Sequence, residues 1–180
     1  MTKDNTMAKA ICRTPCGLLL LGAVEGRLCL CTWLDESESD VNEYETEDIY
    51  QAPADARVLQ EAIRQLHEYF SGQRREFSLP LRMDGTPFQQ KAWKAMQTIP
   101  YGQTISYAEE ARLAGHPTAL RAIGNANHRN PIAVIVPCHR VVASHGKIGG
   151  YGGGLDRKRF LLNLECSDVL FGTPRMNKSS

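Results

Sequence analysis

Apolar residues come in short runs at the start of the chain. "AICRTPCGLLLLGAVEGRLCLCTWL" reads as two or three strands broken at Pro15, Gly17 and Glu25-Gly26, the outline of a β-meander. The period then changes. Leu59, Ala62, Ile63, Leu66, Tyr69 and Phe70 recur every three or four positions, which predicts an amphipathic helix that stops near Gly72. Phe77, Leu79, Leu81 and Met83 alternate again and predict a strand, with Pro80 assigning it to an edge or an end. Residues 1–84 therefore form a small α/β domain, a sheet with one helix.

From Thr86 the pattern is helical. "TPFQQKAWKAMQTIP" opens on a capping box, Thr86 to Gln89, with Pro87 at the first helical position and Pro100 ending the run. "SYAEEARLAG" opens on a second box, Ser106 to Glu109, and closes at Gly115; Pro117 is well placed to start the next helix. Two short helices around a glycine turn outline a helix-turn-helix, though any αα-hairpin shares that outline. On the second helix Arg121 stands among Ala119, Ala122, Gly124 and Ala126. Such small residues allow either a groove wall or a neighbouring helix to approach closely. The apolar run "IAVIV" predicts a buried strand before Pro137. The fold class is α/β: the N-terminal domain, then a mostly helical, winged-helix-like domain over 85–175.

Composition adds one asymmetry. Residues 1–85 carry 9 Lys/Arg against 15 Asp/Glu and residues 86–180 carry 12 against 5, so −6 and +7 make the net +1. A basic C-terminal half suits a polyanionic partner; chance surface charge is the plainer account. The acidic stretch 35–48 reads as a solvated loop without a role. No apolar run is long enough to span a bilayer, and the first residues lack the apolar core of a signal peptide. The expected location is cytoplasmic, or nuclear in a eukaryote. Cys12, Cys16, Cys29, Cys31, Cys138 and Cys166 are then expected as thiols. Cys29 and Cys31 could share a strand face and hold a metal, but burial in a sheet is the simpler reading, and no metal or cofactor is expected.

The chemistry concentrates at "PCHRVV", residues 137–142. Pro137 fixes the chain before Cys138, so a thiol is delivered at the end of a rigid element. Thiolate is the reactive form and needs a base or cation to form at neutral pH. His139 is adjacent, but consecutive side chains rarely converge, so a bridging water fits better than contact. A carboxylate behind the histidine would orient it, and Glu165 of "LDRKRFLLNLE" is a candidate. On these residues alone Cys138 is either a nucleophile or a buried structural cysteine. "GGYGGG" matches no phosphate-loop spacing and reads as a flexible loop carrying Tyr151.

Taken together, "IPYGQTISYAEEARLAG", "LRAIGNAN", "NPIAVIVPCHRVV" and "GGYGGGLDRKRFLLNLE" closely resemble the O6-alkylguanine-DNA alkyltransferases, in order, over residues 86–166. The resemblance is weaker before that. It implies that Cys138 takes an alkyl group from guanine O6 in double-stranded DNA, irreversibly, with activity on O4-alkylthymine left open. It implies further that His139 polarises the thiol through water, Glu165 holds the histidine and Asn130 braces the turn. Tyr107 would rotate the DNA phosphate and border the pocket, and Arg121 would replace the flipped base. Ala122 and Gly124 would let the helix into the minor groove, the Cys138 and Val141 carbonyls would read the base, and Tyr151 and Gly152 would wall the pocket. The chain would act as a monomer, without a membrane.

Two departures stand out. Zinc-binding relatives have ligands that Cys12, Cys16, Cys29 and Cys31 do not match, and some members carry serine where this chain has Gly152. Competing readings are a lesion-binding module, which lacks the cysteine, and a Cys-His hydrolase, which leaves the helix-turn-helix without a purpose.

Overall fold

The computed structural model describes residues 6–35 and 53–166. All but the first residue of the acidic stretch 35–48 lies outside them. The chain divides into two compact units, Met1–Met83 and Asp84–Ser180.

In the first unit, β1 (Ala8–Thr14), β2 (Gly17–Val24) and β3 (Arg27–Trp33) form an antiparallel sheet in sequence order. Ala8, Ala10 and Cys12 alternate inward on β1, and Leu19, Leu21 and Ala23 do so on β2. The helix α1 (Pro53–Phe70) lays Val58, Leu59, Ala62, Leu66 and Tyr69 in the core. Its first turn also holds a hairpin: Gly26 N–H donates to Asp55 Oδ1 at 2.6 Å. A bulge at Gly22/Ala23 shifts the β2–β3 register, pairing Leu21 with Cys31 and Ala23 with Leu28. Cys31 is buried and Cys29 is only half-buried, so the two do not share a face as the alternation suggested.

The stretch expected as a strand over 77–83 is only a single bridge. Leu28 N–H donates to Pro80 O and Arg82 N–H to Leu28 O, both at 2.8 Å. Pro80 has no N–H to extend the ladder. Side chains do the holding instead: buried Gln65 receives Ser78 N–H at 2.9 Å, and Phe77 packs on Tyr69 with ring centroids 5.3 Å apart.

The second unit is helical, as its pattern indicates. In α2 (Pro87–Gln97) the capping box closes both ways: Gln89 N–H donates to Thr86 Oγ1 and Thr86 N–H to Gln89 Oε1. Ser106 caps α3 (Tyr107–Leu113) by accepting Glu109 N–H, but the Glu109 carboxylate takes Arg112 rather than the Ser106 N–H, so the second box closes one way only. Gly115 at φ 80° lets the chain turn. Helix α4 (Leu120–His128) begins three residues after Pro117, because 117–118 form a turn first. Ala92, Ala95, Ala111, Ala114, Ile123 and Ala126 form the core between these helices. Ala126 thus faces inward, where its carbonyl accepts Trp93 Nε1–H at 2.8 Å, whereas Arg121 and Ala122 are exposed. The small residues of α4 serve both a helix partner and an open face.

A parallel pair, β4 (Ile105–Ser106) and β5 (Val141–Val142), joins α3 to the segment after Cys138. The helix α5 (Leu155–Glu165) closes the unit. Among the described residues no helix is long and apolar enough to cross a membrane. Nor do three or more His, Cys, Asp or Glu side chains gather there as metal ligands.

Candidate functional site

The run 132–136 is buried almost throughout, as its composition requires, but it is not a strand. It is a tight turn. Val136 N–H donates to Ile132 O at 3.0 Å and Ile135 N–H to Ala133 O at 2.8 Å. Val134 lies at φ 70°, a strained region for a β-branched residue. Asn130 clamps both ends: its Nδ2–H donates to Val136 O at 2.8 Å, and its Oδ1 accepts Ile132 N–H at 3.0 Å. One side chain supplies the partners that a neighbouring strand would have provided. Cys138 then opens a 3₁₀ turn, Cys138–Arg140.

Behind the thiol is a buried charge cluster. His139 Nε2 lies 2.9 Å from Glu165 Oε1. Arg140 donates to the same carboxylate from Nε at 2.9 Å and Nη2 at 2.8 Å, and from Nη1 to Ile99 O at 2.7 Å. Burial alone would raise the Glu165 carboxyl, but His139 and Arg140 hold it far below the usual carboxylate range. Because Nε2 must donate to this carboxylate, Nδ1 is the acceptor nitrogen of a neutral ring, and it is buried without a protein partner. Burial pushes the His139 pKa down and Glu165 works against that.

Sequence reasoning overlooked Lys158. It is fully buried, and its Nζ donates to Val141 O at 2.7 Å and to Gly150 O at 3.0 Å. Burial lowers its pKa to about 8. The signal was the seven-residue spacing to Glu165, two turns along one helix face. Lys158 matters to the thiol: burial raises the Cys138 pKa, while hydrogen bonding from Asn130 and the Lys158 charge pull it back. The Val141 carbonyl, expected to read the base, already accepts this ammonium and retains one lone pair.

Cys138 opens on a cavity of about 80 Å³ lined by Tyr107, Gly124, Asn127, His128, Cys138, Gly150, Tyr151 and Gly152. Tyr107, Tyr151 and Gly152 were expected at the pocket and Cys138 as its nucleophile; Gly124 was expected at the groove instead, and Asn127, His128 and Gly150 were not singled out. Arg121 and Ala122 lie on the exposed face of α4, outside the lining. Gly149, at φ 71°, comes close to Tyr107, where an added Cβ would sit 3.3 Å from the ring. At Gly152 the nearest atoms to such a Cβ are 3.8 Å away on His128, so this wall has room for a small side chain.

The arrangement is a thiol at a cavity wall, backed by a histidine–carboxylate pair and a buried ammonium. It can generate a thiolate and present it to a small electrophilic group. Comparison with known proteins agrees across both units. Residues 7–83 match the ribonuclease-like domain, and residues 87–167 the DNA-binding domain, of 6-O-methylguanine DNA methyltransferase. The methylated-DNA–protein-cysteine methyltransferase of Mycobacterium leprae is 56% identical over 110 residues, 61% of this chain and 67% of that protein. In the Mycobacterium bovis protein of the same name the match spans 64% of its length. The constitutive methyltransferase of Bacillus subtilis is 44% identical over 84% of this chain and 91% of its own. The crystal structure of Mycobacterium tuberculosis O6-methylguanine methyltransferase superposes with TM-score 0.76 at 43% identity, covering 90% of this chain and 94% of that one. A structure of the same protein in complex with DNA gives 0.72 at 41% identity, covering 90% and 98%. With both domains matched in succession and a relative 44% identical over 91% of its length, the chain belongs to the 6-O-methylguanine DNA methyltransferase family.

Proposed function

We propose that the protein repairs O6-alkylguanine in double-stranded DNA by moving the alkyl group onto Cys138 Sγ, once per molecule. The observation that carries this is the buried His139–Glu165 pair, whose free Nδ1 is left as the only acceptor on the ring. One water can relay the thiol proton to that nitrogen. Sγ then attacks the alkyl carbon opposite the C–O6 bond. The S–C bond forms as C–O6 breaks, the bonding pair leaves with guanine, and the relayed proton neutralises the departing base. Among the described residues that line the cavity none is a nucleophile aimed at the thioether, so the protein ends alkylated and no cofactor takes part.

In a stacked duplex the alkyl group is out of reach of a thiol, so the base must leave the stack, at a cost of a few kcal/mol. The small residues of α4 and exposed Arg121 suit such an extrusion, in which the helix approaches the minor groove and the guanidinium fills the gap. Tyr107, Gly124, Tyr151 and Gly152 would line the pocket for the extruded base. One chain and one lesion complete the reaction, so a monomer is sufficient, in the cytoplasm or a eukaryotic nucleus.

Incubation with DNA carrying labelled O6-methylguanine tests the reading. Label is expected on Cys138, one equivalent per chain. Label remaining on DNA would mean recognition without repair, and label in solution would mean hydrolysis.

A further inference from the structure

Helices α3 and α4 share one buried polar contact. Asn127 Nδ2 donates to Glu110 Oε2 at 2.6 Å. Glu110 is 0% exposed and Asn127 8%. The other oxygens of the same two side chains, Glu110 Oε1 and Asn127 Oδ1, are both buried without a hydrogen-bond partner. Two orphan acceptors on side chains already joined is a costly arrangement. A single proton resolves it. A carboxylic acid donates from Oε1 to the amide oxygen while the amide N–H still donates to Oε2, and the two side chains close a ring with every polar atom used.

We propose that Glu110 works as a neutral carboxylic acid, clasped to Asn127 in a paired acid–amide ring. The clasp positions the Asn127 wall of the cavity and keeps a second negative charge away from Cys138. Glu110 is a positioning residue, since Asn127 lines the cavity and Glu110 stands behind it. The surroundings favour the neutral form. The helix lies against alanines and Ile123. Lys91 and Lys94 on α2 and His128 on α4 are exposed, and β4 and β5 bring only Ile105, Ser106, Val141 and Val142. Among the described residues, therefore, no cation compensates a Glu110 anion. Burial raises this carboxyl to about 7, against the Asn127 hydrogen bond that opposes the rise. Tyr107 and Cys138 register its charge: burial raises both, and a Glu110 anion raises each further. A charged Glu110 would thus hinder formation of the thiolate.

The sign follows from the raised value. On the acid side of neutrality the clasp is closed; as pH rises through about 7 it opens and a buried anion appears beside the thiol. In Glu110→Gln the amide donates to Asn127 Oδ1 and accepts from Nδ2, so the ring survives without a titrating proton. Glu110→Leu removes it.

Two measurements test this. Carbon-13 NMR of glutamate-labelled full-length protein should show a carboxyl signal that titrates near neutrality and is absent from Glu110→Gln. Single-turnover transfer profiles, each normalised to its own acid-side rate, should differ. Relative to Glu110→Gln, the wild type should lose rate severalfold on crossing neutrality, with Glu110→Leu slower than either at every pH before normalisation. A Glu110 signal titrating near the ordinary 4.5, or superimposable wild-type and Glu110→Gln profiles, would overturn the proposal. The rate arm rests on the proposed function and the NMR arm does not. Wild type that places no label on Cys138 would therefore refute the function while the titration still decides the clasp.

Discussion

Replacing Glu165 with glutamine should destabilise the protein more than its small change in shape implies. Oε1 accepts from His139 and from Arg140 Nη2, and Oε2 accepts from Arg140 Nε and from Gly102 N–H at 3.3 Å. Both oxygens therefore face the guanidinium, and neither amide orientation avoids setting an NH₂ against an Arg140 donor. The side chains are 1% and 8% exposed, so water screens little of the loss. Breaking one partner of a buried ion pair costs about 3–5 kcal/mol. At about 2–4 °C per kcal/mol for a chain of this size, Tm should fall by on the order of 10 °C. The carboxyl is held below its unfolded value of 4.5, so its contribution is complete above that pH and fades in acid. The difference between the two proteins should therefore be widest at neutral pH and narrow below about 4.5. Thermal melts by circular dichroism across pH measure this. Coincident melts at neutral pH would refute the reasoning, because they would mean that Arg140 finds another anion or water. The same variant should shift the transfer rate to higher pH, since His139 loses the group that orients it.

Other consequences are simpler. Cys138→Ala should abolish transfer yet bind alkylated duplex within a few-fold of wild type, since phosphate and groove contacts supply the affinity; gel-shift titration checks it. Arg121→Ala should slow repair of duplex DNA far more than dealkylation of the free base, whereas equal losses on both substrates would exclude a role in filling the stack. Lys158→Met should raise the Cys138 pKa, read from thiolate absorbance, because a buried positive charge that lowers it is gone. An unchanged thiol titration would mean that Lys158 only ties Val141 to Gly150.

The helices and their caps were legible because apolar residues recur over several turns and the capping side chains sit at fixed offsets. The three-stranded meander was legible from its turns. The run 132–136 was not, since five consecutive apolar residues fit a buried strand and a buried turn equally well. What decides between them is the Asn130 side chain, whose hydrogen bonds have no periodic signature. Cys29 was misplaced because one bulge reverses every facing beyond it. Lys158 went unnoticed because lysine on a helix is ordinarily solvated, and its seven-residue spacing to Glu165 marks an inward face only once Glu165 is known to be buried. Glu110 was not singled out, because its burial depends on how closely the alanines of three helices approach.

Ile99, Arg140 and Glu165 meet in one cluster although 41 and 25 positions separate Arg140 from the other two. Such closure comes late in folding, since distant contacts must overcome the entropy of the loops between them. During synthesis Cys138 leaves the ribosome well before Glu165 does. Until those last residues arrive, His139 has no carboxylate to orient it and Arg140 has no anion. The nascent thiol is therefore as sluggish as any ordinary cysteine. If the protein reacts only once, as proposed, this order of assembly withholds its single equivalent of reactivity until Glu165 has joined the site.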